Sequence, residues 1–388
     1  MKTRLSSLLL LLPFIGLTAN AEPDSRDMEQ LLARSLQAVG ENRLDVALNE
    51  VDSLLKINPN FKLAQLVKGD LLLARARSIN EFGDAPNAPR DRVQDLREEA
   101  KVRLHRAQQQ QPVAVPRYLW QLNAKQRHAV VVDTSKSTLY LYENVNGEPR
   151  YVTDFYISMG KKGADKVVEG DQKTPLGVYF VDSYIPQHKL ADLYGAGAYP
   201  ISYPNEWDRR QGRNGHGIWV HGTPSDTYSR PPRASNGCVV LSNSDLLRLG
   251  LSIDVGTTPV IITNGIDWLD ASDSQERASL RQTIEQWRSD WESRDTEKYL
   301  SHYADDFNTG NTARAEFAAH KRLVNSGKSW IKVKVENLSL FPYPTQQDLV
   351  VVDFEQAYDS NNLTNRMHKR QYWQKRNGRW QIVYEGAA

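Results

Sequence analysis

The sequence predicts a multidomain protein with an all-α N-terminal module, a mainly-β central domain and an α+β C-terminal domain. Its 388 residues are too many for one compact core, so we expect two or three domains. Near residue 112 the apolar residues change from helical spacing to short strand-like runs. After residue 265 a strong helical pattern returns and is followed by four more strand-like runs, which is an α+β order.

The first 21 residues have the pattern of a secretory signal peptide. Lys2 and Arg4 form a basic start, an apolar run covers residues 8–12, and residues 19–21 (Ala-Asn-Ala) form a small-x-small cleavage site. An uncleaved anchor is the alternative, but the apolar run is shorter than the ~20 residues that span a bilayer. We therefore expect cleavage after residue 21, export to the periplasm and no membrane span in the mature chain.

The composition excludes some classes of function. Apolar residues make up 40% and charged residues 25% of the chain, which is ordinary for soluble globular proteins. The chain holds 49 Lys and Arg against 47 Asp and Glu, and the loss of Lys2 and Arg4 makes the two numbers equal. Because a mature chain so balanced has no general attraction to nucleic acid, we expect no nucleic acid to bind.

Residues 28–108 predict a helical module, and the Pro- and Gln-containing stretch 109–125 predicts a linker. Leucine, alanine and valine recur at helical spacing in the module. The order Ala47, Val51 and Leu54 before a proline resembles a tetratricopeptide repeat, and a plain helical bundle is the alternative. Either would serve as a spacer or as a module that binds a protein partner.

Residues 126–264 predict the β-rich domain, and residues 270–388 predict a domain with helices first and strands last. In the first, runs rich in Val, Tyr, Ile and Phe alternate with turn residues, and Asn146-Gly147 between two such runs is a hairpin signal. In the second, a long helical pattern at 272–291 precedes four strand-like runs.

The chain holds a single cysteine, Cys238. Exported proteins usually pair their cysteines, so a lone thiol is either buried as a small apolar residue or kept for chemistry. Upstream by 17 residues, a strand-like Ile-Trp-Val run leads to His221, which Gly222 follows. Histidine is the usual base for a catalytic thiol because its pKa lies near neutral pH. The parts of an acyl-transfer site are therefore present.

The cysteine lies in the motif Ser235-Asn236-Gly237-Cys238. Glycine before the thiol allows a sharp turn, and we expect the N–H groups of Gly237 and Cys238 to be free to face an oxyanion. With His221-Gly222 upstream, the domain resembles the YkuD family of L,D-transpeptidases, whose signature is HG, some fifteen residues and then S-H-G-C. Further landmarks that resemble this family are Ser158-Met159-Gly160, Lys173-Thr174-Pro175-Leu176-Gly177 and Tyr203-Pro204-Asn205.

The resemblance implies that a peptidoglycan peptide stem acylates the Cys238 thiol at its bond between an L-centre and a D-centre. The acyl group would then pass to an amine or to water. Carried onto this chain, Cys238 is the nucleophile and His221 its base, Gly237 belongs to the oxyanion hole, and Gly222 and Ser235 shape the pocket. No cofactor and no metal are implied, because a thiol, an imidazole and backbone donors suffice for acyl transfer.

Two positions depart from the family motif. Asn236 stands where the signature has histidine, and Val240 stands where arginine or asparagine is usual. Asn236 can still form hydrogen bonds, so we expect the site to be active, and the resemblance implies L,D-transpeptidation. Hydrolysis that releases wall-linked groups stays open. An inactive periplasmic scaffold that binds cell wall or partner proteins is the alternative from another class.

Three further features each have two interpretations. His216 either orients the catalytic pair or is an ordinary residue at the entry of a strand. The segment from Arg230 to Arg233 either contacts carboxylates of the donor stem or is a rigid solvated loop. Residues 187–199 either cover the thiol as a lid or simply connect two strands.

The last domain resembles the nuclear-transport-factor-2-like (SnoaL-like) fold, a cone-shaped α+β domain. The resemblance rests on the phrases "WESRDTEKYLSHYADDF" and "NGRWQIVYEG". It implies a cavity that binds a ligand or a surface that supports a dimer. We expect the domain's tryptophans to belong to its core, namely Trp287, Trp291, Trp330, Trp373 and Trp380.

Overall fold

The computed structural model describes residues 25–84, 88–228 and 230–388, so the predicted signal peptide at 1–21 lies outside the described residues. The N-terminal module is helical, as predicted. Its helices are α1 (Ser25–Gly40), α2 (Leu44–Ile57), α3 (Lys62–Ala74) and α4 (Arg90–Gln108). The buried residues of α2 recur every three or four positions and form one apolar stripe, which consists of Ala47, Leu48, Val51 and Leu54. In these ranges no helix is both long and apolar enough to cross a bilayer.

The central domain is mainly β, as predicted, with two short helices, α5 (Glu206–Arg210) and α6 (Asn243–Gly250). Its strands are β1 (His128–Asp133), β2 (Thr138–Val145), β3 (Glu148–Tyr156), β4 (Met159–Gly160), β5 (Gly177–Phe180), β6 (Ile185–Pro186), β7 (Gly197–Pro200), β8 (Trp219–His221), β9 (Arg233–Ser235), β10 (Val239–Val240) and β11 (Pro259–Thr263). One sheet has the order β3-β2-β1-β11-β5, a second has the order β10-β8-β7-β6, and β4 pairs with β9.

Strand β1 is apolar along most of its length because both of its faces are buried. Val130 and Val132 belong to the core between the two larger sheets of the central domain. Ala129 and Val131 belong to another core, which also contains Phe341 of the C-terminal domain. A strand buried on both faces needs continuous rather than alternating apolar residues, and the run Ala-Val-Val-Val satisfies this need.

The C-terminal domain is α+β, as predicted. Its elements are α7 (Ala271–Glu292), α8 (Thr296–Leu300), β12 (Tyr303–Asn308), α9 (Arg314–Ser326), β13 (Ile331–Pro342), β14 (Leu349–Ser360), β15 (Leu363–Arg376) and β16 (Arg379–Ala387). The sheet has the order β12-β16-β15-β14-β13, in which β12 runs parallel to β16 and the other pairs are antiparallel. The helices and the sheet enclose a core rich in aromatic residues.

Two details of this domain differ from the sequence prediction. Strand β12 and helix α9 were not expected, and β12 carries two adjacent aspartates, which are depleted in strands. Trp330 is 48% exposed, so its assignment to the core was wrong. It lies directly before β13, which is an edge strand of the sheet, and edge positions are less fully covered than central ones. The four other tryptophans are buried, as expected, and these are Trp287, Trp291, Trp373 and Trp380.

Candidate active site

Neighbouring parallel strands bring His221 and Cys238 together. Val220 pairs with Val239 and His221 pairs with Val240, so β8 and β10 lie side by side with Cys238 directly before β10. Side chains alternate between the faces of a strand, which places positions 238 and 240 on the face that His221 occupies. Val220 and Val239 lie on the opposite face, in the core. The sheet therefore presents the imidazole and the thiol on the same side.

The surroundings of His221 select one neutral form of its imidazole. The ring is 3% exposed, and its Nδ1 lies 2.7 Å from the backbone oxygen of Gly222. A carbonyl oxygen only accepts, so Nδ1 carries the proton and Nε2 is left as the proton acceptor. Burial lowers the pKa of His221 to about 4, and the charge of Arg230 acts in the same direction. The imidazole is therefore neutral at pH 7.

The Cys238 thiol is largely buried, and its residue remains partly accessible to solvent. Its Sγ lies 3.5 Å from the backbone oxygen of Gly217. Burial raises the pKa of the thiol, while the Trp219 N–H and the charges of Arg230 and Lys166 oppose this rise. Since burial prevails, the resting pair is a neutral thiol beside a neutral imidazole.

The turn before the thiol is braced by Ser235. The N–H of Gly237 donates to Ser235 Oγ at 3.0 Å, and Ser235 Oγ donates to the Cys238 carbonyl at 2.6 Å. The expectation that the Gly237 amide is free was therefore wrong, because the serine hydroxyl occupies it. Ser235 is 3% exposed and acts within the turn. The Cys238 amide is left as the motif's own donor toward an oxyanion, and within the described residues it forms no hydrogen bond.

Glycine is required at position 237. Its φ is +127°, a backbone conformation that side chains with a Cβ rarely adopt. A Cβ there would also lie 2.8 Å from the backbone oxygen of Lys173. Asn236, in contrast, is exposed, and in the part of the chain that the structure describes its side chain forms no hydrogen bond. The predicted contribution of Asn236 to the pocket is thus not visible as a contact.

Gly222, which follows His221, is closely surrounded by atoms of Asn243 and Ala196. A Cβ on Gly222 would overlap Oδ1 of Asn243, the first residue of α6. The Asn243 amide bonds to the backbone at Thr223 and Ala196. Sequence reasoning missed Asn243, although its position just after the cysteine motif and at the start of a helix is a usable signal.

The segment 187–199 was expected to be either a lid over the thiol or a plain connection between strands. It packs against the site. The Tyr194 ring lies 5.1 Å from the His221 ring and 4.8 Å from the Trp219 ring, between ring centroids. The Tyr194 carbonyl accepts the Gly222 N–H at 3.0 Å, and the Asp192 carboxylate accepts the Ser225 N–H. The segment therefore covers the histidine side of the site through specific contacts.

The two arginines of the loop before the cysteine differ. Arg230 is partly buried, its guanidinium donates to the Ala234 carbonyl, and burial lowers its pKa. No carboxylate among the described residues forms an ion pair with Arg230, while Arg233 is exposed. His216 is a surface residue, with a side chain that is 80% exposed and 3.6 Å from Glu169. The structure thus brings Arg230 to the site and leaves His216 outside it.

The helical module packs on the loop that joins His221 to Cys238. Tyr228 of this loop packs against Phe61 of the module, with tilted rings whose centroids are 4.6 Å apart. Beside them Arg103 is 3% exposed, forms ion pairs with Glu29 and Glu99, and lies 3.9 Å from the centroid of the Tyr156 ring. The module is therefore part of the support of the active-site loop.

A cavity that contains charged side chains lies in the C-terminal domain. Its volume is about 390 Å³, and its lining includes Trp291, Lys321, Lys369 and Glu385. Lys369 Nζ lies 2.6 Å from a Glu385 oxygen. Burial lowers the pKa of Lys321 to about 8, and its ammonium lies 4.9 Å from the centroid of the Trp291 ring. This cavity holds buried charge remote in sequence from Cys238.

Comparisons with known proteins agree with the resemblances of the central and C-terminal domains. Residues 127–262 match the family described as the L,D-transpeptidase catalytic domain (YkuD), and residues 279–386 match the Cds6 C-terminal NTF2-like domain. A search of curated proteins found no match.

Two solved structures extend the similarity over more of the chain. Bd1075 of Bdellovibrio bacteriovorus is 28% identical, with a TM-score of 0.62, over 71% of this chain and 98% of that chain. The helical cell shape determining protein Pgp2 of Campylobacter jejuni is 26% identical, with a TM-score of 0.60, over 70% of this chain and 95% of that chain. The chain therefore carries a domain that matches the YkuD L,D-transpeptidase family, followed by a domain that matches the Cds6 C-terminal NTF2-like family.

Proposed function

We propose that the protein is an exported cysteine acyltransferase that performs L,D-transpeptidation on peptidoglycan stem peptides through a thioester at Cys238. The observation that carries the proposal is the pairing of β8 with β10, which puts His221 and Cys238 on the same face of neighbouring strands. With Nδ1 engaged by the Gly222 carbonyl, Nε2 is the imidazole atom that can take the thiol proton.

The reaction has two balanced halves. In the first, His221 Nε2 takes the proton of Cys238 Sγ, and the sulfur attacks the carbonyl carbon on the L side of the scissile bond. The tetrahedral intermediate collapses, the bond to the D-residue breaks, and the leaving amine takes the proton from Nε2. In the second half, an acceptor amine loses a proton to Nε2 and attacks the thioester, which returns the thiol.

Backbone donors and one arginine have defined roles in this scheme. The Cys238 N–H stabilises the oxyanion, because the neighbouring Gly237 N–H is engaged by Ser235. Arg230 binds a carboxylate of the donor stem, since it is a partly buried cation whose charge reaches Cys238 and which forms no ion pair within the described ranges. Arg230 would thus supply the cation that the family motif has at the position of Val240.

The outer domains support the same role in the cell wall. The helical module holds the loop that carries Arg230, so a protein partner would use its remaining surface. The NTF2-like domain, with its charged cavity, would bind the wall or a partner and hold the enzyme in place. Because Pgp2 is described as a helical cell shape determining protein, we infer that loss of this protein alters cell shape.

Hydrolysis of the same thioester is the second candidate. It is favoured by Asn236 and Val240, which replace residues of the transpeptidase motif. In that case water, rather than an amine, takes the acyl group, and the product is a shortened stem or a released wall-linked group.

The test is incubation of the mature protein with muropeptides that carry tetrapeptide stems, followed by mass spectrometry of protein and products. We expect an acyl adduct on Cys238 and new 3–3 cross-links. Cys238→Ala should abolish both, and His221→Gln should slow adduct formation at least ~100-fold. His216→Gln is the matched control, because this exposed histidine lies outside the site. Shortened stems without cross-links indicate the hydrolase, and absence of any adduct or product indicates the inactive scaffold.

A further inference from the structure

Asn243 connects three segments of the active site through its side-chain amide. Its Oδ1 accepts the N–H of Ala196 at 2.9 Å and the N–H of Thr223 at 3.1 Å. Its Nδ2 donates to the Thr223 carbonyl at 2.9 Å. One amide thus joins the start of α6, the segment that covers His221, and the chain directly after His221.

Two glycines are explained by the position of this amide. A Cβ added to Gly222 would overlap Asn243 Oδ1, and so would a Cβ added to Gly195. Gly195 also has a positive φ of +64°. Any side chain at either position would displace the amide, so Gly195, Gly222 and Asn243 form one structural unit.

The peptide group between Gly222 and Thr223 transmits the effect to the imidazole. Its N–H belongs to Thr223 and donates to Asn243 Oδ1, while its carbonyl belongs to Gly222 and accepts from His221 Nδ1 at 2.7 Å. The peptide group is planar, and its N–H and C=O are antiparallel. Fixing the direction of the N–H therefore fixes the direction of the carbonyl that holds the proton on Nδ1.

We propose that Asn243 is a positioning residue that sets the tautomer and orientation of the His221 imidazole by fixing the Gly222–Thr223 peptide plane. The proposal rests on the proposed function only in so far as His221 acts as the base. The Asn243 amide bonds to backbone groups of Ala196 and Thr223. Its effect on the imidazole passes through the Gly222 carbonyl.

The test combines imidazole NMR with kinetics on two variants and one control. Wild-type protein with ¹⁵N-labelled histidine should show His221 as the single Nδ1–H tautomer, with the signal assigned from its loss in His221→Gln. In Asn243→Ala we expect a mixture of both neutral tautomers, and kcat for donor stems reduced about 10- to 100-fold with KM changed less than about twofold. A purely structural defect would not produce this combination.

Asn243→Asp separates the two halves of the amide. The carboxylate keeps the acceptor for the Thr223 N–H but turns a second acceptor toward the Thr223 carbonyl, so it should restore the single tautomer and recover only part of the activity lost in Asn243→Ala. Ser242→Ala is the matched control, because Ser242 caps α6 through the Asp245 N–H at 3.1 Å and should leave the tautomer unchanged.

The proposal is overturned by an unchanged His221 tautomer in Asn243→Ala, or by an Asn243→Asp variant no better than Asn243→Ala. A shifted tautomer in Ser242→Ala would also overturn it, since general loosening of α6 would then suffice. The NMR readout does not require turnover. If wild-type protein fails to react with stem peptides, the proposed function falls while the role of Asn243 is still decided.

Discussion

Replacing Gly237 by alanine tests how tightly the turn before the nucleophile is constrained. The φ of +127° is strained for any residue with a Cβ. The added carbon would lie 2.8 Å from the Lys173 carbonyl oxygen and 3.2 Å from Ile218 Cδ1. The first neighbour is backbone and the second belongs to a buried core, so the turn itself must move.

The expected magnitude has two parts. A positive φ costs an L-residue about 1–2 kcal/mol. Relief of an overpacked contact with fixed neighbours costs about 1–3 kcal/mol more. We therefore expect Gly237→Ala to lower the local stability of the catalytic domain by about 2–5 kcal/mol. Because displacement of a reacting group by about 1 Å costs roughly 100-fold in rate, acylation of Cys238 should slow about 10- to 100-fold in the protein that remains folded.

Hydrogen exchange followed by mass spectrometry is the suitable assay, because it reports opening of each region without assuming that a three-domain chain unfolds in one step. The matched control is Gly256→Ala, where φ is +81° and nothing lies within 4 Å of the added carbon. That variant should lose only the conformational cost of about 1–2 kcal/mol and keep its acylation rate. Equal losses in both variants, with acylation unchanged at position 237, would refute the reasoning.

Two further predictions concern buried ionisable groups. Alkylation of Cys238 by iodoacetamide should keep accelerating as the pH rises past 9, because burial raises the thiol pKa above its ordinary value of 9.0 and the thiolate is the reactive form; a plateau below pH 8 would contradict the neutral resting pair. Arg103→Met should weaken the packing of the helical module by about 3–5 kcal/mol, measured by hydrogen exchange in α4, because it removes a buried cation that pairs with Glu29 and Glu99. The matched change Arg34→Met, which breaks the exposed pair with Glu50, should cost less than about 1 kcal/mol, and a similar loss in both variants would show that Arg103 does not hold the module.

Tertiary context accounts for the errors of the sequence prediction at the active site. The Gly237 amide was expected to be free, but its N–H donates a hydrogen bond to the Ser235 hydroxyl, two residues earlier. Whether a backbone donor is occupied depends on the angles of the turn, which residue types alone do not define. The same holds for Arg230, because only its burial beside the thiol distinguishes it from the exposed Arg233.

The sequence by itself determined the order of the three modules, the identity of Cys238 and His221 as a candidate pair, and both family resemblances. These properties depend on local periodicity and on short sequence motifs, so they can be predicted without coordinates. Only the tertiary structure showed that Asn243 bonds to the peptide group that follows His221, and that Phe61 and Arg103 contact Tyr228 in the loop before the nucleophile. The physical reason is that these contacts join residues far apart in the chain, and their geometry exists only after the strands and helices have packed.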